Sequence, residues 1–318
     1  MSDKHYDALP KAHTTYANII KSLLPIGEAQ ADKDELPQAT YFVDTLHIDQ
    51  SNLEDYRKIC GFKADGKVPI TYFAVLSQAL QMNMMVKEPF PFTMLGLVHV
   101  ENSVTQYRQI GERETVSMAV HFANLRDHAQ GQQFDFVTQV KSQDDVIWEG
   151  VSTYLARGKK PTTSSNKPKK VTVKPLVDEK GVHDIFEVPE DIGRRYAFVS
   201  GDFNLIHLHP LSAKAFGFPK AIAHGMWSKA KCLALMGELP DACTAGVSFK
   251  LPIFLPSEVE LIGEPISQLE KVDDKCTFGL YNAKNDKPHL AGVIKLVDKK
   301  VADEHIIAES DDDHDNND

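Results

Sequence analysis

Residues 196–226 read YAFVSGDFNLIHLHPLSAKAFGFPKAIAHGM. The run gathers an Asp, an Asn and three His, yet it follows neither the 3.6-residue period of an amphipathic helix nor the alternation of a half-buried strand. Asp202 comes directly after the turn-forming pair Ser200-Gly201, and His207 and His209 fall in a loop that Pro210 interrupts. A requirement other than packing selects such a run, and its surroundings decide the fold.

Tyr196-Ala-Phe-Val-Ser200-Gly201-Asp202 is similar to Tyr56-Arg-Lys-Ile-Cys60-Gly61-Phe62, which lies 140 positions earlier (56 against 196). A repeat at that distance halves the chain. Each copy precedes a helical candidate, 71–85 in the first half and 223–236 in the second, the latter with Gly237 as its C′ cap. Strand-like segments follow: 95–100, 115–124, 133–141 and 146–156 answer 245–250, 259–266, 276–281 and 290–297. Turn-rich stretches at 127–131 and 282–288 separate them, as an antiparallel meander needs. Each half therefore reads as one long helix laid on an antiparallel sheet, an α+β unit built twice. Between the halves, KKPTTSSNKPKK at 159–170 is polar, basic and Pro-interrupted, the composition of a linker.

The two copies are unequal. Tyr72 aligns with His224 at an offset of 152, so the second half holds about 12 extra residues between its Ser-Gly and its helix. That insertion carries Asn204, His207, His209 and a short helix opening at Pro210, and Phe62 stands where the second half has Asp202. Only the second half has the polar constellation.

The chain of 318 residues is 42% hydrophobic and 25% charged, enough for a sizeable core in two domains. Its net charge of -10 argues against a nucleic-acid binder that relies on phosphate contacts. No basic segment followed by an apolar run opens the chain, and no window approaches the ~18 apolar residues of a membrane span, so it reads as cytoplasmic. Cys60, Cys232, Cys243 and Cys276 form no C-x-x-C pair and read as reduced thiols.

The pattern Tyr196-x-x-x-Ser200-Gly201-Asp202-x-Asn204-x-Ile206-His207, followed by Ala213 and Ile222-Ala-His224-Gly225-Met226, resembles the signature of the MaoC-like acyl dehydratases, the (R)-specific enoyl-CoA hydratases. The first half resembles the degenerate partner domain of the two-domain members. The resemblance implies a double hot dog fold, with an N-terminal extension at 1–35, a degenerate hot dog domain at 36–157, a linker at 158–174, a catalytic domain at 175–308 and a disordered acidic tail at 309–318. It also implies reversible hydration of a trans-2-enoyl thioester to an (R)-3-hydroxyacyl thioester, on CoA or acyl carrier protein, with no cofactor. Where the family pattern has Pro after the Asn, this chain has Leu205, which loosens the preorganisation of the loop but removes neither catalytic side chain.

The residues suit that chemistry. Hydration of a conjugated thioester needs a base for the water attacking C3, an acid to protonate C2, and donors that hold the enolate oxygen. Asp202 and His207 supply the first two; five positions apart, they span up to roughly 17 Å if extended, so the loop must curl, which Gly201 and Asn204 permit. The unpaired N–H groups at the start of the second helix supply the third, with Gly225 as the candidate oxyanion donor and Asn204 and Ser200 beside the substrate. His224 and Tyr196 are expected to support the loop, and His209, just before Pro210, to be a helix N-cap or a surface His.

Three His and an Asp are also zinc-ligand types, but Pro210 interrupts His207-x-His209 and no second ligand group stands out, so no metal is expected. Two rival readings stay open: a hot dog thioesterase and a non-catalytic acyl-thioester binding protein. Phe73, Leu76, Leu80, Met82, Met84 and Met85 are candidates for an acyl channel, and Lys214, Lys220, Lys229 and Lys231 for a cationic mouth that meets the carrier's phosphates. A homodimer is left open.

Overall fold

The computed structural model describes residues 3–10, 35–94, 96–158, 174–175 and 179–298. The acidic tail at 309–318, most of the linker at 158–174 and residues 11–34 of the N-terminal extension lie outside the described residues. The first half runs β1 (Lys4–Tyr6), β2 (Thr40–His47), α1 (Gln50–Cys60), α2 (Tyr72–Lys87), β3 (Leu97–Gln106), β4 (Thr115–His128), β5 (Gly131–Ser142) and β6 (Asp145–Arg157). The second runs β7 (Val182–Val188), α3 (Ile192–Ser200), α4 (Leu205–Leu208), α5 (Pro210–Ala215), α6 (Gly225–Met236), β8 (Cys243–Phe249), β9 (Ser257–Gly263), β10 (Lys275–Asn282) and β11 (Pro288–Leu296).

The strands form one sheet in the order β1-β2-β4-β5-β6-β3-β8-β11-β10-β9-β7. Without β1, the order within each half is the same read outward from the centre. The halves join where β3 pairs antiparallel with β8, Glu101 opposite Ser248 and Gln106 opposite Cys243. This is the double hot dog: a long sheet with one central helix per half. β1, β2 and β7 are additions to the strands expected from the sequence, and β1 is the one parallel partner in the sheet.

Both central helices are apolar almost all round, the composition of a helix covered on every side rather than one lying on a surface. Tyr72, Phe73, Val75, Leu80 and Met84 of α2 and Trp227, Ala230, Cys232, Leu233 and Met236 of α6 are buried. Their indole and ring partners fix register: Trp148 Nε1 donates to the Ile70 carbonyl at 2.7 Å and meets Phe73 edge-on, and Trp227 Nε1 donates across the halves to Ile59 O at 3.0 Å.

The repeat recognised in the sequence is visible in space. α1 and α3 both end on a glycine in the left-handed region, Gly61 at φ 90° and Gly201 at φ 75°, and Tyr56 and Tyr196 face each other with ring centres 6.3 Å apart. The four cysteines are free and buried, with burial pushing the Cys276 thiol to about 11 and Cys243 to about 12. Among the described residues no helix is long and apolar enough to cross a membrane.

Candidate active site

The loop after α3 curls through a chain of local hydrogen bonds made by its own short polar side chains. The Ser200 hydroxyl accepts the Asp202 N–H at 3.2 Å, and Asp202 Oδ1 accepts the Asn204 N–H at 3.1 Å. Asn204 then caps α4, accepting from Ile206 N at 3.4 Å, and His209 caps α5, its Nδ1 accepting from Leu211 N at 3.1 Å with Pro210 in the first turn. Ser200, Asn204 and His209 thus have local structural duties, Asp202 combines one with a place on the cavity described below, and Ser200 does not line that cavity.

The curl brings His207 against α3. Its carbonyl lies so close to Gly193 that a Cβ there would stand 2.0 Å from the oxygen, so only glycine fits. The His207 ring is buried and its Nδ1–H donates to the Ile222 carbonyl at 2.8 Å, which leaves the Nε2 lone pair as the basic site of the neutral ring. His224 precedes α6, and its Nε2–H donates to the Asp202 carbonyl at 3.0 Å, with the Asp202 carboxylate 3.8 Å away. The two imidazoles stack at 3.7 Å between centres, and Tyr196 packs on His224 at 5.0 Å.

Asp202, His207 and His224 each offer one atom, all within 4.8 Å of one another. Donor types and spacing are those of a three-ligand metal set. Imidazole lone pairs lie in the ring plane, however, and two rings stacked within 26° of parallel point them side by side rather than at one centre. The trio is better arranged for moving protons. Burial lowers the pKa of His207, against the opposing pull of the Asp202 charge and the Ile222 carbonyl, and burial with the neighbouring His207 lowers His224 to about 3. Both rings are neutral at physiological pH.

These groups line a cavity of about 1280 Å³ shared by the two halves. Gly225 opens α6 on its wall, and the first-turn N–H groups of a helix have no partner within it and favour negative charge nearby. A Cβ at this position would meet the Phe249 ring at 2.9 Å, so any larger residue would have to displace that ring.

Of the expected channel residues, Met82 and Met85 line the cavity, whereas Phe73, Leu80 and Met84 are packed in the core. Lys229 is a clear correction: it is fully buried, its ammonium donating to Asn102 Oδ1 at 2.6 Å, Ala245 O at 2.7 Å and Asn102 O at 3.2 Å, so it ties α6 to β3 rather than facing a carrier. Lys231 reaches over the Phe186 ring toward Gly61, also away from the cavity.

The sequence reading missed what the first half adds to the wall. His99 on β3 stacks on Tyr154 at 4.7 Å and leans on Phe249 at 5.1 Å, and Tyr154 O–H donates to Gln81 Oε1 at 3.3 Å. Burial, then the adjacent Lys229, lowers His99 to about 4. A lone His in an otherwise apolar strand start, Leu97-Val98-His99, was the available signal.

Comparison with known proteins follows the same outline. The family model described as MaoC like domain matches residues 156–274. The chain is 35% identical over 263 residues to the 3-hydroxyacyl-thioester dehydratase X of Mycobacterium tuberculosis, covering 82% of this chain and 91% of that protein. It is similar to the crystal structure of HtdX from Mycobacterium tuberculosis at 32% identity and a TM-score of 0.67, over 81% of this chain and 100% of that one. A MaoC-like dehydratase from Phytophthora capsici shares the fold at 19% identity and a TM-score of 0.62, over 82% and 96% of the two chains.

Proposed function

The chain belongs to the MaoC-like dehydratase family, and from that premise we propose that it interconverts trans-2-enoyl and (R)-3-hydroxyacyl thioesters. The observation that carries the reading is the meeting of Asp202, His207 and the start of α6 at Gly225 on the wall of one cavity. In the hydration direction, neutral His207 takes one proton from a water whose other hydrogen the Asp202 carboxylate holds. The oxygen adds to C3, charge moves to the thioester oxygen and is held by the Gly225 N–H, and the imidazolium returns its proton to C2. Water is added across one double bond with no electron left over, so the scheme calls for no redox cofactor, and His207 with the Gly225 N–H supplies the proton transfer and charge stabilisation. His224 acts through the loop, fixing the Asp202 carbonyl, and the cavity's reach to Met82, Met85 and Phe92 gives room for an extended acyl chain.

Incubation with a trans-2-enoyl pantetheine or CoA thioester tests this directly. Loss of enoyl absorbance with formation of the (R) alcohol is the expected result. Free thiol release with no hydroxyacyl product would mean a thioesterase, and binding without turnover a non-catalytic acyl-thioester protein.

A further inference from the structure

The described residues expose six large apolar side chains, Ile185, Phe198, Leu205, Leu211, Leu251 and Val272. Three of them sit on the consecutive short helices that frame the catalytic loop: Phe198 on α3 at 77% exposed, Leu205 on α4 at 39% and Leu211 on α5 at 70%. The three helices form one continuous rim. Phe198 meets Phe203 edge-on at 5.5 Å, Arg194 donates to the Leu208 carbonyl at 3.2 Å, and the Ser212 hydroxyl donates to the Leu205 carbonyl at 2.7 Å. Leu205 and Phe203 also line the cavity, so the rim borders its opening.

Its charge is the reverse of the chain's. Between Ile192 and Lys220 the exposed cations are Arg194, Arg195, Lys214 and Lys220, against one carboxylate, Asp202, which lines the cavity, in a protein of net charge -10. Asp191 at the foot of α3 approaches Arg195 at 3.7 Å, and exposed Glu190 precedes it just outside this span.

We propose that this rim docks a small acidic carrier protein that delivers the acyl chain on a flexible thioester arm, its apolar side chains seating on Phe198, Leu205 and Leu211 and its carboxylates meeting Arg194, Arg195 and Lys214. The proposal rests on the dehydratase reading and names its substrate carrier. A free nucleotide thioester needs one stacking ring and a phosphate clamp, whereas apolar groups spread over three helices inside a basic field match the surface of a protein. A second copy of this chain fits poorly, because a two-fold contact through the rim sets the same cations against each other.

The test compares one trans-2-enoyl chain carried on acyl carrier protein, on CoA and on pantetheine. Two double variants are used, Arg195→Glu with Lys214→Glu, and Phe198→Ser with Leu211→Ser; none of these residues lines the cavity. The expected result is a rise of about tenfold in KM for the carrier-protein substrate, with kcat and the pantetheine kinetics unchanged, and a wild-type KM that climbs with salt for the carrier protein alone. An unchanged KM for the carrier protein overturns the proposal, as does an equal rise for CoA, which would make the rim a nucleotide site. Loss of a wild-type dimer in either variant by light scattering overturns it in favour of self-association. Failure of the dehydratase reading itself is seen separately, as absence of turnover on pantetheine by the wild-type protein.

Discussion

Gly193→Ala tests the site's construction without touching a reacting group. A Cβ at this position would lie 2.0 Å from the His207 carbonyl oxygen, and real Cβ contacts essentially never fall below 3.0 Å, so helix or loop must give by about 1 Å. The direction of relief does not rescue the geometry. Asp202 follows the C-terminal end of α3 and His207 rides on the loop, so movement of either element changes their separation. α3 is anchored by buried Tyr196 and Ala197 and by Asn52, whose Nδ2 donates to Val199 O at 3.0 Å. A misplacement on this scale costs on the order of 100-fold in rate. Stability moves little, because alanine in a helix is favoured over glycine by up to ~1 kcal/mol, which offsets part of the clash. Turnover of a pantetheine enoyl thioester by Gly193→Ala is the assay, with thermal unfolding beside it. A variant that folds and keeps kcat within about threefold of wild type would refute the claim that the α3–loop contact sets the distance between Asp202 and His207.

Asp202→Asn and His207→Ala each lower hydration by at least ~100-fold with the fold retained in circular dichroism; near wild-type turnover in either removes that residue from the mechanism. The acid limb of kcat/KM falls below the ordinary histidine value of 6.5, because burial lowers His207 and its neutral form is the base; an inflection at or above 6.5 contradicts this. A tight enolate-mimicking inhibitor saturates at one equivalent per chain, since Phe62 holds the first-half place of Asp202; two equivalents by calorimetric titration would sink that assignment. Lys229→Met lowers the urea midpoint by an amount worth about 1–3 kcal/mol, because the Asn102 and Ala245 acceptors lose their donor, and a rise in midpoint would show the buried cation to be a burden.

Periodicity made both central helices and eight strands legible, because each is long and its apolar positions are regular, although the expected strand 95–100 stops well short of the end of Leu97–Gln106. β2 and β7 were not. β7 reads VHDIFEV, whose polar residues His183, Asp184 and Glu187 do not alternate even though its exposure does, with Ile185 on the wet face of this outermost strand, and β2 reads TYFVDTLH with a register break between Val43 and Leu46. The lysines of α6 misled for a related reason. On a surface helix Lys229 and Lys231 would mark the wet face, but Lys229 lies on a fully buried side of α6, so it had to find acceptors inside. Composition likewise could not separate Met82 and Met85 on the cavity from Met84 in the core, since all three leave bulk water. His99 could not be placed from the sequence at all. It reaches the site only because β3 pairs with β8, a contact between distant stretches of chain that sets Glu101 opposite Ser248.

The repeat explains why one half alone carries the chemistry. Tyr56 and Tyr72 in the first half sit 5.2 Å apart, and their counterparts Tyr196 and His224 sit 5.0 Å apart, so the two pairs keep nearly the same spacing. In the first half both hydroxyls are satisfied: Tyr56 donates to Thr71 Oγ1 and Tyr72 to Asn52 Oδ1, each at 2.8 Å. In the second, His224 spends Nε2 on the Asp202 carbonyl while its Nδ1 is buried without a hydrogen-bond partner among the described residues. An unsatisfied buried polar atom costs about 1–3 kcal/mol, a cost that a packing role alone does not justify. The first half resolved the same position into a closed tyrosine network and the second kept it polar and under-satisfied, next to a loop the first half lacks. Strain of this kind persists where surrounding structure over-determines it, and the sheet that continues from β8 into β3, with Lys229 bound across it, provides that support.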